Sequence, residues 1–239
     1  MIRSCVTDFH THVLPAIDDG SANVEQSVQM LQMLKEQGAQ RVVAVPHFYA
    51  NYDSPTRFLT KRAAAIKALS AAVQGQTELP TLHYGAEVYY FKGISECEAL
   101  PQLAISGTKC LLVEMPMPPW SDGMLRELRE IHERFGLIPV IAHIDRYIRP
   151  FRTYGLPERL SGYPVVVQAN ASFFIQRSTR RMAVRLLKEG HIHLLGSDCH
   201  NTSTRKPNLG EARQIIASCA GEQFLEQMQA LEADLFGEN

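Results

Sequence analysis

Two short segments fix the kind of core this chain can build. Val42-Val43-Ala44-Val45 and Val165-Val166-Val167 are unbroken aliphatic runs, nearly all β-branched. A strand with one wet face alternates apolar and polar residues, whereas an unbroken run belongs to a strand covered on both faces, as in a parallel sheet flanked by helices. Similar runs recur, and we read strands at Cys5–Phe9, Arg41–Val45, Thr81–Ala86, Cys110–Met115, Ile138–Ala142, Val165–Ala169 and Ile192–Gly196. Helical patterns lie between them. Asn23 with Gln26 predicts a capping box ahead of Val24, Val28, Leu31 and Leu34, and Gly38 closes that helix. Ser54-Pro55 opens the next, which runs to about Val73. Further helices are expected over Asp122–Phe135, Arg177–Glu189 and from Leu209 onward, with Gly136 and Gly190 as terminators. Seven βα units predict a barrel-like α/β protein, one unit short of the eight-stranded type, with a doubly wound open sheet as the competitor.

At 239 residues the chain is long enough for one α/β barrel domain spanning residues 1–239. A net charge of −1 leaves no basic footprint and argues against nucleic acid as a partner. No run approaches the roughly 20 apolar residues that span a bilayer, and no signal-like segment precedes the first charged motif. Cysteines 5, 97, 110, 199 and 219 are odd in number and form no C-x-x-C pair. Reduced thiols and a cytoplasmic location follow.

The chemistry gathers at the ends of the strands. Asp8-Phe9-His10-Thr11-His12 places two histidines on one face of an extended segment, a ready pair of ligands for one metal ion. The second strand ends at Pro46-His47, the third runs into Glu87, the fourth into Glu114, the fifth into His143, and the seventh into Asp198-Cys199-His200. In a parallel barrel these ends converge on the face where active sites are assembled. A carboxylate closing an apolar strand, as in Leu111-Leu112-Val113-Glu114, is costly to desolvate unless paired or metal-bound. Any one of these residues could be a salt bridge or a helix cap, but six of seven strand ends carrying such groups points to a site.

Asp18-Asp19-Gly20 adds acid on the first loop, with Asp19 better placed and an Asx turn the competing role for either aspartate. With Asp19 the set is five histidines and four carboxylates, more than the three or four protein ligands of a single catalytic zinc. A multinuclear centre with bridging carboxylates is the inference, and a thiolate-free donor set suits Mn, Fe or Zn. Arg146 and Arg205, close behind His143 and His200, match the fork geometry of a phosphate. Phe48, Tyr49, Tyr52, Tyr89, Tyr90, Trp120 and Tyr147 follow the ligands and could wall an aryl groove, with loop packing as their other role. His83, His132, His191 and His193 lack this placement and are read as structural or surface residues.

Taken together, Asp8-Phe9-His10-Thr11-His12, Ile17-Asp18-Asp19-Gly20, Pro46-His47, Gly85-Ala86-Glu87, Val113-Glu114-Met115-Pro116, Ile141-Ala142-His143-Ile144-Asp145-Arg146-Tyr147 and Gly196-Ser197-Asp198-Cys199-His200-Asn201 resemble the motifs of the PHP (polymerase and histidinol phosphatase) superfamily. Within it they are most similar to the bacterial protein-tyrosine phosphatases of capsule and exopolysaccharide gene clusters. The resemblance implies a distorted TIM-like (β/α)7 barrel and two or three metal ions, manganese foremost. By motif matching, His10, His12, Glu87 and Asp198 would hold one metal. Glu87 would bridge to a second, held also by Glu114 and His143, and Asp19, His47 and His200 would hold the third. Arg146 and Arg205 correspond to the phosphate-binding arginines. The implied substrate is phosphotyrosine on a protein, a bacterial tyrosine kinase of the same polysaccharide pathway. Phe48 and Asp145 depart from the usual pattern, at positions that are not ligands.

The implied chemistry is in-line attack on phosphorus by a hydroxide bridging two metals, with the arginines and the third metal holding the other oxygens. A tyrosyl leaving group, with a pKa of about 10, has less need of a general acid than an alkyl phosphate has. Three other functions compete. A histidinol-phosphate phosphatase or nuclease-like phosphoesterase would use the same ligands, and a non-catalytic metal-binding scaffold would lack one of them. Cys199 to Arg205 has the C-x5-R spacing of cysteine-dependent tyrosine phosphatases, but no glycine opens backbone amides in that loop, and nine strand-end ligands would have no role.

Overall fold

The computed structural model describes residues 5–117, 119–148 and 155–238. Its strands are β1 (Thr7–Thr11), β2 (Arg41–Ala44), β3 (His47–Phe48), β4 (Thr81–Tyr84), β5 (Glu87–Tyr89), β6 (Cys110–Glu114), β7 (Ile138–Ile141), β8 (Val166–Asn170) and β9 (Leu194–Gly196). Helices α1 (Val24–Glu36), α2 (Pro55–Ala72), α3 (Leu100–Leu103), α4 (Asp122–Phe135), α5 (Leu156–Leu160), α6 (Ala171–Ile175), α7 (Arg177–Lys188), α8 (Leu209–Cys219) and α9 (Glu222–Leu235) lie between and after them. Every strand pair is parallel, in the orders β1-β2-β4 and β3-β5-β6-β7-β8-β9. The sheet curls until its ends meet. Thr11 bridges Cys199 in parallel, the His12 amide donates to the Cys199 carbonyl at 2.9 Å, and the Asp198 amide donates to the His10 carbonyl at 2.8 Å.

Two of the seven expected strands are followed, past a short break, by a second strand that was not expected. Pro46 has no amide hydrogen, so the ladder it interrupts resumes against a different neighbour. The Val45 amide still donates to Thr11 of β1, whereas the Pro46 carbonyl accepts from Glu87 of β5. The expected strand Thr81–Ala86 likewise ends early, as β4 at Tyr84, and β5 follows it past Gly85-Ala86. The first strand lies two residues later than expected, at Thr7–Thr11, so His10 sits within it rather than after it. Helix starts follow their caps. Asn23 accepts from the Gln26 amide, Ser54 from Arg57 and Ser121 from Met124, and Gly136 ends α4 in the left-handed region at φ 63°. The Gln26 side chain reaches back to the Ala22 amide rather than to Asn23. The helix expected from Leu209 onward is two, α8 and α9, parted at Gly221.

The unbroken aliphatic runs divide between two apolar layers. Val42, Ala44, Leu111 and Val113 face outward against the helices, while Val43, Val45, Cys110, Leu112, Val140 and Leu194 fill the barrel interior with Phe9. At the N-terminal end α9 closes that interior. Phe236 meets Phe9 edge-on at 6.2 Å and lies under the Arg41 guanidinium at 3.8 Å. The C-terminal end is left to polar groups. No helix among the described residues is long and apolar enough to cross a membrane.

Candidate metal centre

Glu87 stands at the middle of the polar end, at the start of β5 and 1% exposed. Its Oε2 lies 3.2 Å from His10 Nε2, 3.3 Å from His12 Nε2 and 2.9 Å from His47 Nδ1, and its Oε1 lies 2.8 Å from His143 Nε2. Burial alone would push this carboxyl up, but the facing His10, His12 and His143 imidazoles outweigh it and hold the group ionised. Asp198 behaves alike: burial is overcome by His10 and His12, and its pKa falls below the usual carboxylate range. Glu114, farther out, is pushed up by burial and by the Glu87 charge.

His10 and His12 are each held through Nδ1 by a residue outside the centre. His12 Nδ1 is 2.8 Å from Asp18 Oδ2, an atom that also accepts from the His47 amide at 3.0 Å. His10 Nδ1 is 3.3 Å from Gln168 Oε1, which accepts from the His143 amide as well. In the neutral tautomer with Nδ1–H donating outward, Nε2 of each ring would present a lone pair to the centre, where the two nitrogens stand 3.1 Å apart. Two lone pairs at that distance repel unless a cation lies between them or a proton is shared. Glu87 Oε2, His47 Nδ1, His143 Nδ1 and His200 Nε2 are buried without any hydrogen-bond partner in the structure. The short Glu87–His47 approach is therefore close in distance but lacks hydrogen-bond geometry. Of these atoms Glu87 Oε2, His47 Nδ1 and His200 Nε2 belong to the cluster, as unpaired buried acceptors would in a metal site, and the donor set fits Mn, Fe or Zn.

Three groups of donor atoms come within 4.8 Å of one another: His10, His12 and Asp198; His12, Asp19, His47 and His200; and His47, Glu87 and Glu114. All nine residues singled out in the sequence face this end, and the partition is close to the one the motifs imply. It differs at His12 and His47, each of which stands in two groups, at Glu87, which joins His47 and Glu114 but not the His10 group it was expected to bridge, and at His143, whose Nε2 lies 3.5 Å from Glu114 Oε1 without joining a group. Backbone strain marks two of the residues. His143 at φ 31° and Asp198 at φ 53° occupy the left-handed region, which costs a residue with a Cβ of order 1–3 kcal/mol and clusters at functional sites. Gly196 leaves room for the seam: a Cβ there would stand 2.5 Å from the His10 Cβ.

The arginines lie on the carboxylates. Arg146 donates to Asp198 Oδ2 at 2.7 Å and to Glu114 Oε1 at 3.1 Å, and Arg205 donates to Asp198 Oδ1 at 2.9 Å. Each is more than a third exposed, so both guanidiniums keep N–H groups toward the opening. Beside them a cleft of about 350 Å³ runs from Asp18, Asp19 and His47 past Tyr49 and Tyr52 to Phe58 and the Asp53–Lys61 pair. Tyr49 packs on Tyr89 at 5.6 Å and on His47 at 5.3 Å, and Tyr52 stands 85% exposed at the lip. Of the other aromatics, Phe48 packs inward on Phe58, and Trp120 and Tyr147 are buried against each other.

Four supporting residues escaped the sequence reading: Asp8, Gln168, Asn170 and, as more than a turn residue, Asp18. Asp8 accepts from the Ser197 and His10 amides, and Asn170 donates to Asp198 Oδ2 at 3.0 Å. The signal for Gln168 and Asn170 was their position, polar groups alternating at the end of the one strand that carries no ligand. Cys199 is buried, and burial pushes its thiol well above its ordinary pKa, the opposite of what a nucleophilic cysteine needs. His83, His132 and His193 bond backbone groups away from the centre, as expected of structural histidines.

A parallel α/β barrel with a ring of buried histidines and carboxylates at one mouth defines a protein built to hold metal ions. The chain belongs to the CpsB/CapC family of capsular polysaccharide synthesis, whose model matches residues 6–234. Tyrosine-protein phosphatase YwqE of Bacillus subtilis (strain 168) is 28% identical over 225 residues, covering 91% of this chain and 86% of its own. Tyrosine-protein phosphatase CpsB of Streptococcus agalactiae is 25% identical over 240 residues, covering 94% and 97%. Among solved structures, one from work on YwqE of Bacillus subtilis and CpsB of Streptococcus pneumoniae, described as unique metal-dependent tyrosine phosphatases, matches with a TM-score of 0.85 at 23% identity, covering 98% of this chain and 95% of that one. A TatD-family hydrolase from Entamoeba histolytica shares the general fold, with a TM-score of 0.57 at 10% identity. The expected α/β barrel is therefore the fold of this chain, shared with that solved structure.

Proposed function

We propose that this protein is a metal-dependent protein-tyrosine phosphatase acting in the cytoplasm, its residues 1–239 forming one catalytic domain. The observation that carries this is the convergence of His10 Nε2 and His12 Nε2, 3.1 Å apart, on a buried Glu87 oxygen that has no hydrogen-bond partner. His10, His12, Asp19, His47, Glu87, Glu114, His143, Asp198 and His200 would hold two or three ions, manganese foremost, with iron or zinc as alternatives. Bound there, the ions would supply Lewis acidity and an activated water. Arg146 and Arg205 hold the non-reacting phosphoryl oxygens through the N–H groups they turn outward, and Asp18 and Gln168 keep the His12 and His10 rings in place. The Tyr49–Tyr52 cleft receives the aryl ring. That cleft, within the same mouth as the ligands, favours an aromatic phosphate over histidinol phosphate, and the net charge of −1 speaks against a nucleic acid. The substrate protein would be a bacterial tyrosine kinase or polysaccharide-export regulator.

The test is a phosphatase assay of metal-stripped protein with Mn, Fe, Zn and Mg restored separately, on a phosphotyrosine peptide, histidinol phosphate and short single-stranded DNA. Metal-restored turnover of the peptide above the other two is expected. Activity that survives chelation, or preference for histidinol phosphate or DNA, would overturn the assignment.

A further inference from the structure

Helix α7 is the most unevenly charged element among the described residues. Its twelve positions hold Arg177, Arg180, Arg181, Arg185 and Lys188 and no acidic residue, in a chain whose net charge is −1. Arg180 is spent internally, donating to the Phe174 and Ile175 carbonyls. The other four are exposed. At about 100° per residue they fall within ~80° of the helix circumference, opposite the buried Ala183, Leu186 and Leu187. Arg177 and Arg181 have no ion-pair partner among the described residues, and Arg185 reaches Glu189 only at 3.9 Å. Such clustering costs self-repulsion and buries nothing, so a stabilising role does not account for it.

Two features identify what would neutralise the row. Its spacing is one: Arg177, Arg181 and Arg185 rise about 6 Å apart along the axis, close to the ~7 Å between alternate side chains of an extended peptide. Its place is the other. Helices α6 and α7 follow β8, whose last residue Asn170 donates to Asp198. Ser172 and Ile175 of α6 line a cleft of about 280 Å³ together with Asp198 and Arg205. The cationic row begins two residues beyond Ile175, so Arg177 is its member nearest that cleft, and α7 leads from there to the start of β9. A membrane surface fits less well, because the exposed large apolar side chains among the described residues are Tyr52 and Met117, and neither is on α7.

We propose that the exposed face of α7 docks an acidic stretch of the substrate polypeptide, with carboxylates at alternate positions, while the phosphotyrosine occupies the metal centre. The proposal rests on the phosphatase assignment above. It makes Arg177, Arg181 and Arg185 determinants of which phosphoprotein is chosen rather than of the chemistry; Lys188, at the end of the row, donates to the Cys219 carbonyl at 3.1 Å.

The test compares wild type with the double charge reversal Arg181→Glu/Arg185→Glu, both metal-loaded. The substrates are p-nitrophenyl phosphate and two phosphotyrosine peptides, one flanked by a Glu-x-Glu-x-Glu run and one by neutral residues. Wild type is expected to favour the acidic peptide by about tenfold in kcat/KM at low salt, through KM, with the preference shrinking at high salt. The reversal abolishes the preference and leaves p-nitrophenyl phosphate turnover in place. Equal use of both peptides by wild type, or an undiminished preference in the variant, overturns the proposal. So does binding to phosphatidylglycerol vesicles that the reversal removes while the peptide preference stays. If wild type hydrolyses no aryl phosphate, the phosphatase assignment fails first. Anisotropy of a labelled, unphosphorylated acidic peptide then still decides the docking: binding lost in the reversal supports it, and no binding overturns it.

Discussion

Asp18 and His12 are joined at 2.8 Å, carboxylate to Nδ1, and this contact fixes which nitrogen His12 turns inward. Asp18→Ala removes the acceptor, frees the ring to change tautomer, and leaves the His47 amide unpaired as well. Loss of such a supporting partner costs on the order of 10–100-fold in metal affinity or activity. Metal titration of the stripped variant, read by bound ion per chain, should show the loss without a change in circular dichroism. Asp18→Asn should lie between the two, since its oxygen can still accept.

Arg205→Ala and Asp198→Ala separate phosphate binding from metal binding. Removing the guanidinium should lower kcat/KM for a phosphotyrosine peptide on the order of 10²-fold, as for other preorganised charge contacts. Metal content should stay at the wild-type level. Asp198→Ala should lose activity and metal together. Wild-type rates in both variants would sink the site assignment.

Tyr49→Ala should weaken aryl phosphate binding selectively. A stacked ring contributes about 0.5–1.5 kcal/mol beyond its area, or roughly a 2–12-fold rise in KM. Tyr49→Phe keeps the ring and should restore the value. Equal losses on p-nitrophenyl phosphate and on an alkyl phosphomonoester would place Tyr49 outside the substrate site.

Cys199→Ser should retain turnover, because the thiol is buried and pushed away from ionisation. Chelation should abolish activity in both the variant and the wild type. Inactivation by this substitution in a folded, metal-loaded protein would revive the C-x5-R reading.

At the opposite end of the barrel, burial pushes Glu232 up to about 8, against the lowering effects of Thr7, Arg213 and Arg41. Its folded pKa thus lies above its unfolded one, so the folded state keeps a proton that the unfolded state releases. The contribution is full below about pH 4.5, falls as pH rises and is gone above about 8. Within that window the slope approaches about 1.4 kcal/mol per pH unit. Urea unfolding of wild type and Glu232→Gln across pH 5–8.5 should show the wild type losing stability relative to the variant. Parallel curves would exclude Glu232 as the cause.

What could be read in advance was whatever depends on local sequence. The aliphatic runs gave parallel strands, the caps at Asn23 and Ser54 gave helix starts, and strand-end chemistry gave eight residues at the polar end, with Asp19 of the first loop as the ninth. What could not be read depends on partners far along the chain. Pro46 visibly weakens a strand, but only the neighbouring β5 decides that His47 and Phe48 pair on the other side of the break. Gln168 carries no metal signature, and its role comes from His10, 158 residues away. Phe48, set beside the ligands in sequence, turns inward because alternation sends its side chain to Phe58.

The join at Thr11 and Cys199 has a consequence for when this protein can become active. His10 and His12 stand on one side of that join, Asp198 and His200 on the other, so the centre is made from the two ends of the fold. Its contacts have nearly the greatest sequence separation the chain allows, and such contacts form late. A nascent or truncated chain lacking β9 would carry His10, His12, His47, Glu87, Glu114 and His143 but could not close the ring around them. Pairing of β9 with β1 would therefore be the step that closes the site, and bound metal would act as the clasp that holds those two strands together.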